Sequence, residues 1–280
     1  MPASASMSGH VAGMTNKLAA SLPRMKAPLA FLLSLILLLP IWALGDDVPR
    51  PQTFDSNGVS IQYTVEGKGE PVVLIHGLHA SAQINWRAPG TIKTLAKSYQ
   101  VIAMDVRGHG HSGKPEQEGA YGVEMVEDVV RLLDHLKIQK AHVVGYSMGG
   151  MITMKLLTRH PDRIRSATLG GMGWLREGSP LQDFWSRLPD RQGAMKTPPA
   201  CARSFGALAV TQDEVKAVRI PVAIVIGARD PVKRLYVEPL QRIRADWPVK
   251  VVAGAGHLSC ILQPQFRDEI KKWLDQQPRF

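Results

Sequence analysis

The stretch AHVVGYSMGGMITMKLL, Ala141 to Leu157, decides how the rest of this chain is read. A short apolar run ends in the spacing G-x-S-x-G, and an apolar, helix-forming segment follows at once. Gly145 and Gly149 let a strand and a helix approach closely, while Ser147 between them is thrust out on a strained bend at the helix start. The bland alternative is a small polar residue at an ordinary strand-to-helix turn. The two readings differ in what the remaining sequence must supply.

Working outward, strand and helix signals alternate from Asp46 onward. VSIQYTV (Val59 to Val65), PVVLIHG (Pro71 to Gly77), YQVIAMD (Tyr99 to Asp105), KAHVVGY (Lys140 to Tyr146), IRSATLGG (Ile164 to Gly171), VRIPVAIVIG (Val218 to Gly227) and VKVVAG (Val249 to Gly254) read as strands. Val123, Val126, Val130, Leu133 and Leu136 recur at three- and four-residue spacing, which predicts a helix with one face on a core. Further helices are expected from Gly149 to Pro161 and from Pro264 to Gln276. The strands are nearly continuous apolar runs rather than alternating ones, the pattern of strands buried on both faces. The fold class is therefore α/β: a mostly parallel sheet with helices on each side. Between Gly171 and Val218 the rhythm breaks into a long excursion holding Trp174, Phe184, Trp185 and Phe205, predicted as a small helical cap over residues 173–217.

A serine hydroxyl is a poor nucleophile without a base to take its proton and a third group to orient that base. In a parallel sheet both belong in loops at the carboxyl ends of strands. IVIGARDPV places Asp230 after one strand and VVAGAGHLS places His257 after the next, in the chain order Ser, Asp, His. The other histidines serve as controls. His135 and His142 sit in or beside regular elements, His160 ends a helix, and His10 lies in the N-terminal segment. An oxyanion hole needs two amides aimed at developing charge. The Met148 amide follows the nucleophile, and HGLHAS puts the Leu78 amide in the loop after PVVLIHG. His76 is assigned to packing and hydrogen bonding beneath that loop. The pocket is expected to include His79, Tyr146, Trp174 and Trp185.

HG at His76 and Gly77, DVRGHGHS from Asp105, GYSMGG from Gly145, GARDPV from Gly227 and GAGH from Gly254 together resemble the α/β-hydrolase superfamily, in that family's order and over essentially all of Thr53 to the C-terminus. The resemblance implies an eight-stranded, mostly parallel sheet and a cap after its sixth strand. It also implies a triad of Ser147, Asp230 and His257, oxyanion amides at Leu78 and Met148, and no cofactor. Serine at the elbow, in place of the aspartate that dehalogenases and epoxide hydrolases use, is similar to esterases, C–C bond hydrolases of ring-cleavage products, and cofactor-free perhydrolases. Cleavage of small or medium carboxylic esters is the first expectation. The C–C reaction would want a cation for a substrate carboxylate, with Arg176, Arg187, Arg191 and Arg203 on offer. A catalytically inactive binding protein on the same fold is the alternative of a different class.

Composition limits the remaining possibilities. At 280 residues and 45% hydrophobic the chain can bury a full core. Residues 1–45 stand apart: Lys17, Arg24 and Lys26 without an acid, then an apolar run, then Ala43 and Gly45, as in a secretory signal cleaved near Gly45. A signal implies export, periplasmic or secreted, with a hydrolase domain over 46–280; the alternative is a membrane anchor through residues 29–44 with the domain outside the cytoplasm. Losing the three basic residues lowers the net charge from +10 to +7. The remaining positive residues are scattered among acids, so no tract suits a nucleic acid backbone. The partner expected is a small ester-like molecule. Cys201 and Cys260 are too few for a disulfide scaffold or structural zinc, and no metal motif occurs. Two separate buried thiols are the plainer expectation, and a bridge between them the alternative in an exported chain.

Overall fold

The computed structural model of the chain describes residues 49–187 and 197–279. Among them β1 (Gln52–Ser56), β2 (Val59–Glu66), β3 (Glu70–Ile75), β4 (Tyr99–Met104), β5 (Ala141–Tyr146), β6 (Ile164–Gly170), β7 (Val222–Gly227) and β8 (Val249–Val252) form one sheet in the order β1-β2-β4-β3-β5-β6-β7-β8. The pairs β1/β2 and β2/β4 are antiparallel and every other neighbouring pair is parallel. Burial explains the division. In β5 and β7 every residue is buried, because helices cover both faces of the parallel strands. In β1 only Phe54 and Ser56 are buried, so that strand alternates as an edge strand covered on one face does.

The helices are α1 (Thr91–Leu95), α2 (Val123–His135), α3 (Met148–Arg159), α4 (Pro180–Ser186), α5 (Pro199–Arg203), α6 (Gln212–Ala217), α7 (Glu238–Gln241), α8 (His257–Cys260) and α9 (Pro264–Asp275). On one face of the sheet Met125, Val129 and Leu132 of α2 join Met151, Ile152 and Leu156 of α3 in the larger core. On the other, Ile92 and Leu95 of α1 meet Phe266, Ile270 and Leu274 of α9, with Trp86 between them. α4, α5 and α6 belong to the excursion after β6, the sixth strand, as expected of the cap.

Two boundaries differ from the sequence reading. Gln52–Ser56 carries a single large apolar residue and escaped notice, yet it pairs along its whole length with β2. The strand expected from Val218 starts only at Val222, because α6 runs to Ala217 and Pro221 has no N–H to give a ladder.

The membrane anchor is a correction. Among the described residues no helix is long and apolar enough to cross a membrane. The longest, α2, has 13 residues, where a bilayer asks for about 20. Residues 29–44, to which the anchor and the membrane association were attached, lie outside the described residues. At 16 residues that segment falls short by the same standard, and membrane association is withdrawn. The signal peptide expected over 1–45 lies outside the described residues as well.

Candidate functional site

The strand β5 ends at Tyr146 and α3 begins at Met148, so Ser147 alone makes the turn, with φ of 52°. A non-glycine residue pays strain there, and such strain persists where surrounding structure enforces it. The enforcement is visible in the two flanking glycines. A Cβ on Gly145 would stand 2.0 Å from the Gly149 carbonyl oxygen, and one on Gly149 would stand 2.1 Å from that of Ile75. The Ser147 amide donates to the Gly170 carbonyl at 2.8 Å, which ties the bend to β6.

Asp230 lies in the loop after β7 and His257 opens α8 after β8. The Ser147 Oγ is 2.9 Å from His257 Nε2, and His257 Nδ1 is 2.8 Å from Asp230 Oδ2. The second carboxylate oxygen of Asp230 accepts the Val232 amide at 2.9 Å. With the carboxylate ionised, Nδ1 must donate to it, and Nε2 is left with a lone pair facing the serine hydroxyl. The carboxylate is buried while the imidazole is partly open to solvent. This arrangement can take a proton from Ser147 and hold the resulting imidazolium beside a negative charge.

Tyr146 braces the histidine. Its hydroxyl donates to the His257 carbonyl, and its ring lies 5.7 Å from the imidazole and 5.4 Å from Phe266. Room for the ring comes from Gly171, where a Cβ would meet it at 2.8 Å. Burial raises the phenol well above its ordinary pKa, so it remains a donor.

The loop after β3 is fixed from below. The Val106 amide donates to His76 Nε2 at 3.0 Å, so the other ring nitrogen carries the proton and donates to the Gly77 carbonyl at 2.8 Å. Burial pushes the His76 pKa down to about 4 and keeps it in this neutral form. In a planar trans peptide the C=O and the following N–H point opposite ways, so a Gly77 oxygen held by the buried imidazole turns the Leu78 N–H away from it. Met148 is the first residue of α3, where amides have no partner within the helix and the dipole favours negative charge. Neither amide has an acceptor among the described residues.

His79 stands next in this loop, exposed, with φ of 57°. Trp174 is buried, its indole N–H donating to the Val210 carbonyl at 2.9 Å, which ties the cap's first and later segments together. Trp185 is half-buried; its N–H reaches the Tyr236 hydroxyl at 3.1 Å and its ring lies 5.1 Å from Phe205. Cys201 and Cys260 are free and buried, in separate core clusters. Among the described residues no group of His, Cys, Asp and Glu is placed to hold a metal ion.

One residue at this site carries no motif and escaped the sequence reading. Asn85, in the short helix Gln83–Arg87, accepts the Gly77 amide on Oδ1 at 2.8 Å.

Comparison with known proteins agrees with this architecture. Residues 70–195 match the family described as alpha/beta hydrolase fold. A 2-hydroxymuconate semialdehyde hydrolase of Pseudomonas sp. strain CF600 is 38% identical over 116 residues, 41% of this chain and 40% of that protein. The dihydrolipoyllysine-residue acetyltransferase component of the acetoin cleaving system of Pseudomonas putida is 38% identical over 141 residues, 49% of this chain and 37% of that protein. The chain thus spans about two fifths of the length of these curated relatives. The crystal structure of the enol-lactonase from Burkholderia xenovorans LB400 superposes with a TM-score of 0.67 at 24% identity, over 80% of this chain and 100% of that one.

Proposed function

Because the chain belongs by fold to the α/β-hydrolase superfamily, we propose that it is a serine hydrolase that acts on small organic carbonyl compounds through an acyl-enzyme on Ser147. The observation that carries this reading is the unbroken chain from Ser147 through His257 to Asp230 at 2.9 and 2.8 Å. His257 Nε2 takes the hydroxyl proton as Oγ adds to the carbonyl carbon. The amides of Leu78 and Met148 receive the oxyanion. The tetrahedral adduct then expels its leaving group, which His257 protonates, and water attacks the acyl-enzyme with the same histidine as base.

For the leaving group, carbon is our first choice. The sequence alone favours an oxygen leaving group, as in an ester. Relatives named as hydrolases of 2-hydroxymuconate semialdehyde and of a 2-hydroxy-6-oxo-hexadienoic acid, and a structural neighbour named as a meta-cleavage product hydrolase, favour scission of a C–C bond beside a ketone, where the departing carbon is an enolate that His257 can protonate. The ester reading is retained on one observation. Of the four arginines suggested as carboxylate anchors, Arg176 and Arg187 are exposed on the cap surface, Arg191 lies outside the described residues, and only Arg203, at the end of α5, is half-buried.

A chromogenic ring-cleavage diketone acid assayed beside acyl esters of increasing chain length decides between the two. Efficient turnover of the diketone acid that vanishes in Ser147→Ala is the expected result; short-ester turnover alone would reverse the order. We also propose that the working chain is exported and begins near Asp46. N-terminal mass spectrometry on protein from the native host checks this, and recovery of residues 1–45 intact from the cytosol would reject it.

A further inference from the structure

Gly77 is flanked by three groups at equal distance, the Tyr146 carbonyl oxygen and two side chains. The position a Cβ would take on it is 3.4 Å from Asn85 Oδ1 and 3.4 Å from the Ser147 Cβ. The Asn85 carboxamide and the nucleophile thus flank the same residue, one with no side chain to separate them. Its carboxamide orientation is fixed by chemistry. The group facing it is the Gly77 N–H, a donor, so the atom at 2.8 Å must be the oxygen and the NH2 must take the opposite side. Asn85 is only 8% exposed. Its Nδ2 has no acceptor among the described residues, yet it is not one of the buried side-chain atoms sealed from solvent without a partner. A nearly buried amide that leaves two N–H donors open beside a reactive serine is arranged to meet a bound molecule.

Resting on the serine-hydrolase reading, we propose that Asn85 is a third oxyanion donor: Oδ1 holds the Gly77 amide, and Nδ2 donates to the scissile carbonyl oxygen beside the amides of Leu78 and Met148. The two ends of one side chain then do two jobs. The oxygen fixes the backbone loop that carries the Leu78 amide, and the nitrogen touches the substrate. A side-chain donor adds to the transition state what the two amides alone cannot, because a carbonyl oxygen that becomes an oxyanion accepts stronger hydrogen bonds than it did in the ground state.

The two jobs separate by substitution. Asn85→Asp keeps an acceptor for the Gly77 N–H and removes the N–H donors, whereas Asn85→Ala removes both. With the best substrate from the panel above, Asn85→Asp is expected to lose on the order of 10²-fold in kcat at pH 8, the scale seen when one oxyanion donor is removed. Per folded molecule, KM should change less than threefold, and Tm should fall at pH 8 because the ionised carboxylate is nearly buried with only the Gly77 amide as partner. As pH falls toward the carboxyl pKa, the ratio of variant to wild-type kcat should rise, because a protonated aspartate regains a donor. Asn85→Ala should lose at least as much kcat and also some Tm. A kcat for Asn85→Asp within twofold of wild type would overturn the donor role and leave only the loop contact. Labelling by a serine-reactive fluorophosphonate runs in parallel. Wild type that labels at Ser147 while Asn85→Asp labels slowly supports the proposal, and wild type that does not label at Ser147 overturns the underlying reading and this one with it.

Discussion

Asp128 and Asp230 both bury their carboxylates completely, but the first faces a guanidinium and the second an imidazole. Asp128, on α2, accepts Arg107 Nε at 2.7 Å on one oxygen and Arg107 Nη2 and Ser56 Oγ, each at 2.5 Å, on the other. Arg107 is 2% exposed and also donates to the Ala120 and Ser56 carbonyls. This cluster balances its charge permanently, since neither partner can change state near neutral pH. Asp230 has one amide and a neutral imidazole, and that imidazole is partly open to the cleft. Among the described residues no Lys or Arg side chain pairs with Asp230, so its one side-chain partner is His257. A sealed pair serves the fold, whereas a buried carboxylate facing a half-open imidazole is what the proposed reaction would use.

Substitution should separate the two by orders of magnitude. Asp230→Asn is expected to lower kcat/KM by about 10⁴, as in triads generally, with Tm little changed. Steady-state kinetics beside a thermal melt provides the check, and a loss of less than tenfold would place Asp230 with Asp128. The converse variant, Asp128→Asn, leaves the buried guanidinium with only Glu124, at 3.7 Å, as a counter-charge and should cost about 3 kcal/mol of stability. Activity per folded molecule should remain within twofold, measured by urea unfolding and active-site titration. A catalytic loss that exceeds the folding loss would break the division.

Acid tests a third kind of buried group. His76 and His109 are buried and neutral, their rings 5.1 Å apart; burial depresses them to about 4 and about 3, with the neighbouring His76 adding to the shift of His109. In the unfolded chain an imidazole takes its proton near pH 6.5. Between that pH and the folded values the unfolded state binds more protons, so stability is full above pH 6.5 and declines as pH falls through 4. For His76 alone the loss is on the order of 3 kcal/mol. His109→Phe keeps a ring against His76 and removes Nε2, a buried atom without a hydrogen-bond partner. Its Tm should fall less than the wild-type Tm from pH 7 to pH 4.5, and parallel curves would refute the assignment.

These contrasts also show why some of the site could be read from sequence. Ser147, Asp230 and His257 declare themselves because the chemistry needs particular residue types at loop positions after strands, and apolar runs mark the strands. The parallel strands were legible for the same reason: burial on both faces makes them mostly apolar runs, with only isolated polar residues such as His142 in β5 and Ser166 and Thr168 in β6. β1 was not, since an edge strand with Phe54 as its one large inward residue looks like loop. Asn85 was invisible because its role rests on where a carboxamide meets the Gly77 amide, and an asparagine eight residues from a glycine has no signature. Nothing in the spelling of Arg107 and Asp128 announces that they meet; their sequence separation of 21 is closed by tertiary packing.

The cap repeats the comparison on a smaller scale, with two tryptophans in place of two aspartates. Trp174 is buried, and its indole N–H is committed to the Val210 carbonyl. Trp185 is half-buried, its ring tilted against Phe205, beside Phe184 with 55% of its surface exposed. Its N–H meets the hydroxyl of Tyr236, six residues beyond Asp230. A hydrogen bond of this sort, part-exposed and between two side chains, is worth about 1 kcal/mol. Trp185→Phe should therefore keep the ring packing, lose that bond, and lower Tm only slightly. If α4 closes over the substrate through this contact, the variant raises KM severalfold for the larger substrates of the panel and leaves kcat within twofold. Trp174→Ala, which empties a core position, should instead cost about 3–5 kcal/mol and leave the substrate profile of the folded fraction unchanged. The reverse assignment, with Trp174 shifting the profile and Trp185→Phe changing only Tm, would move the specificity of the cap from its half-open edge to its buried root.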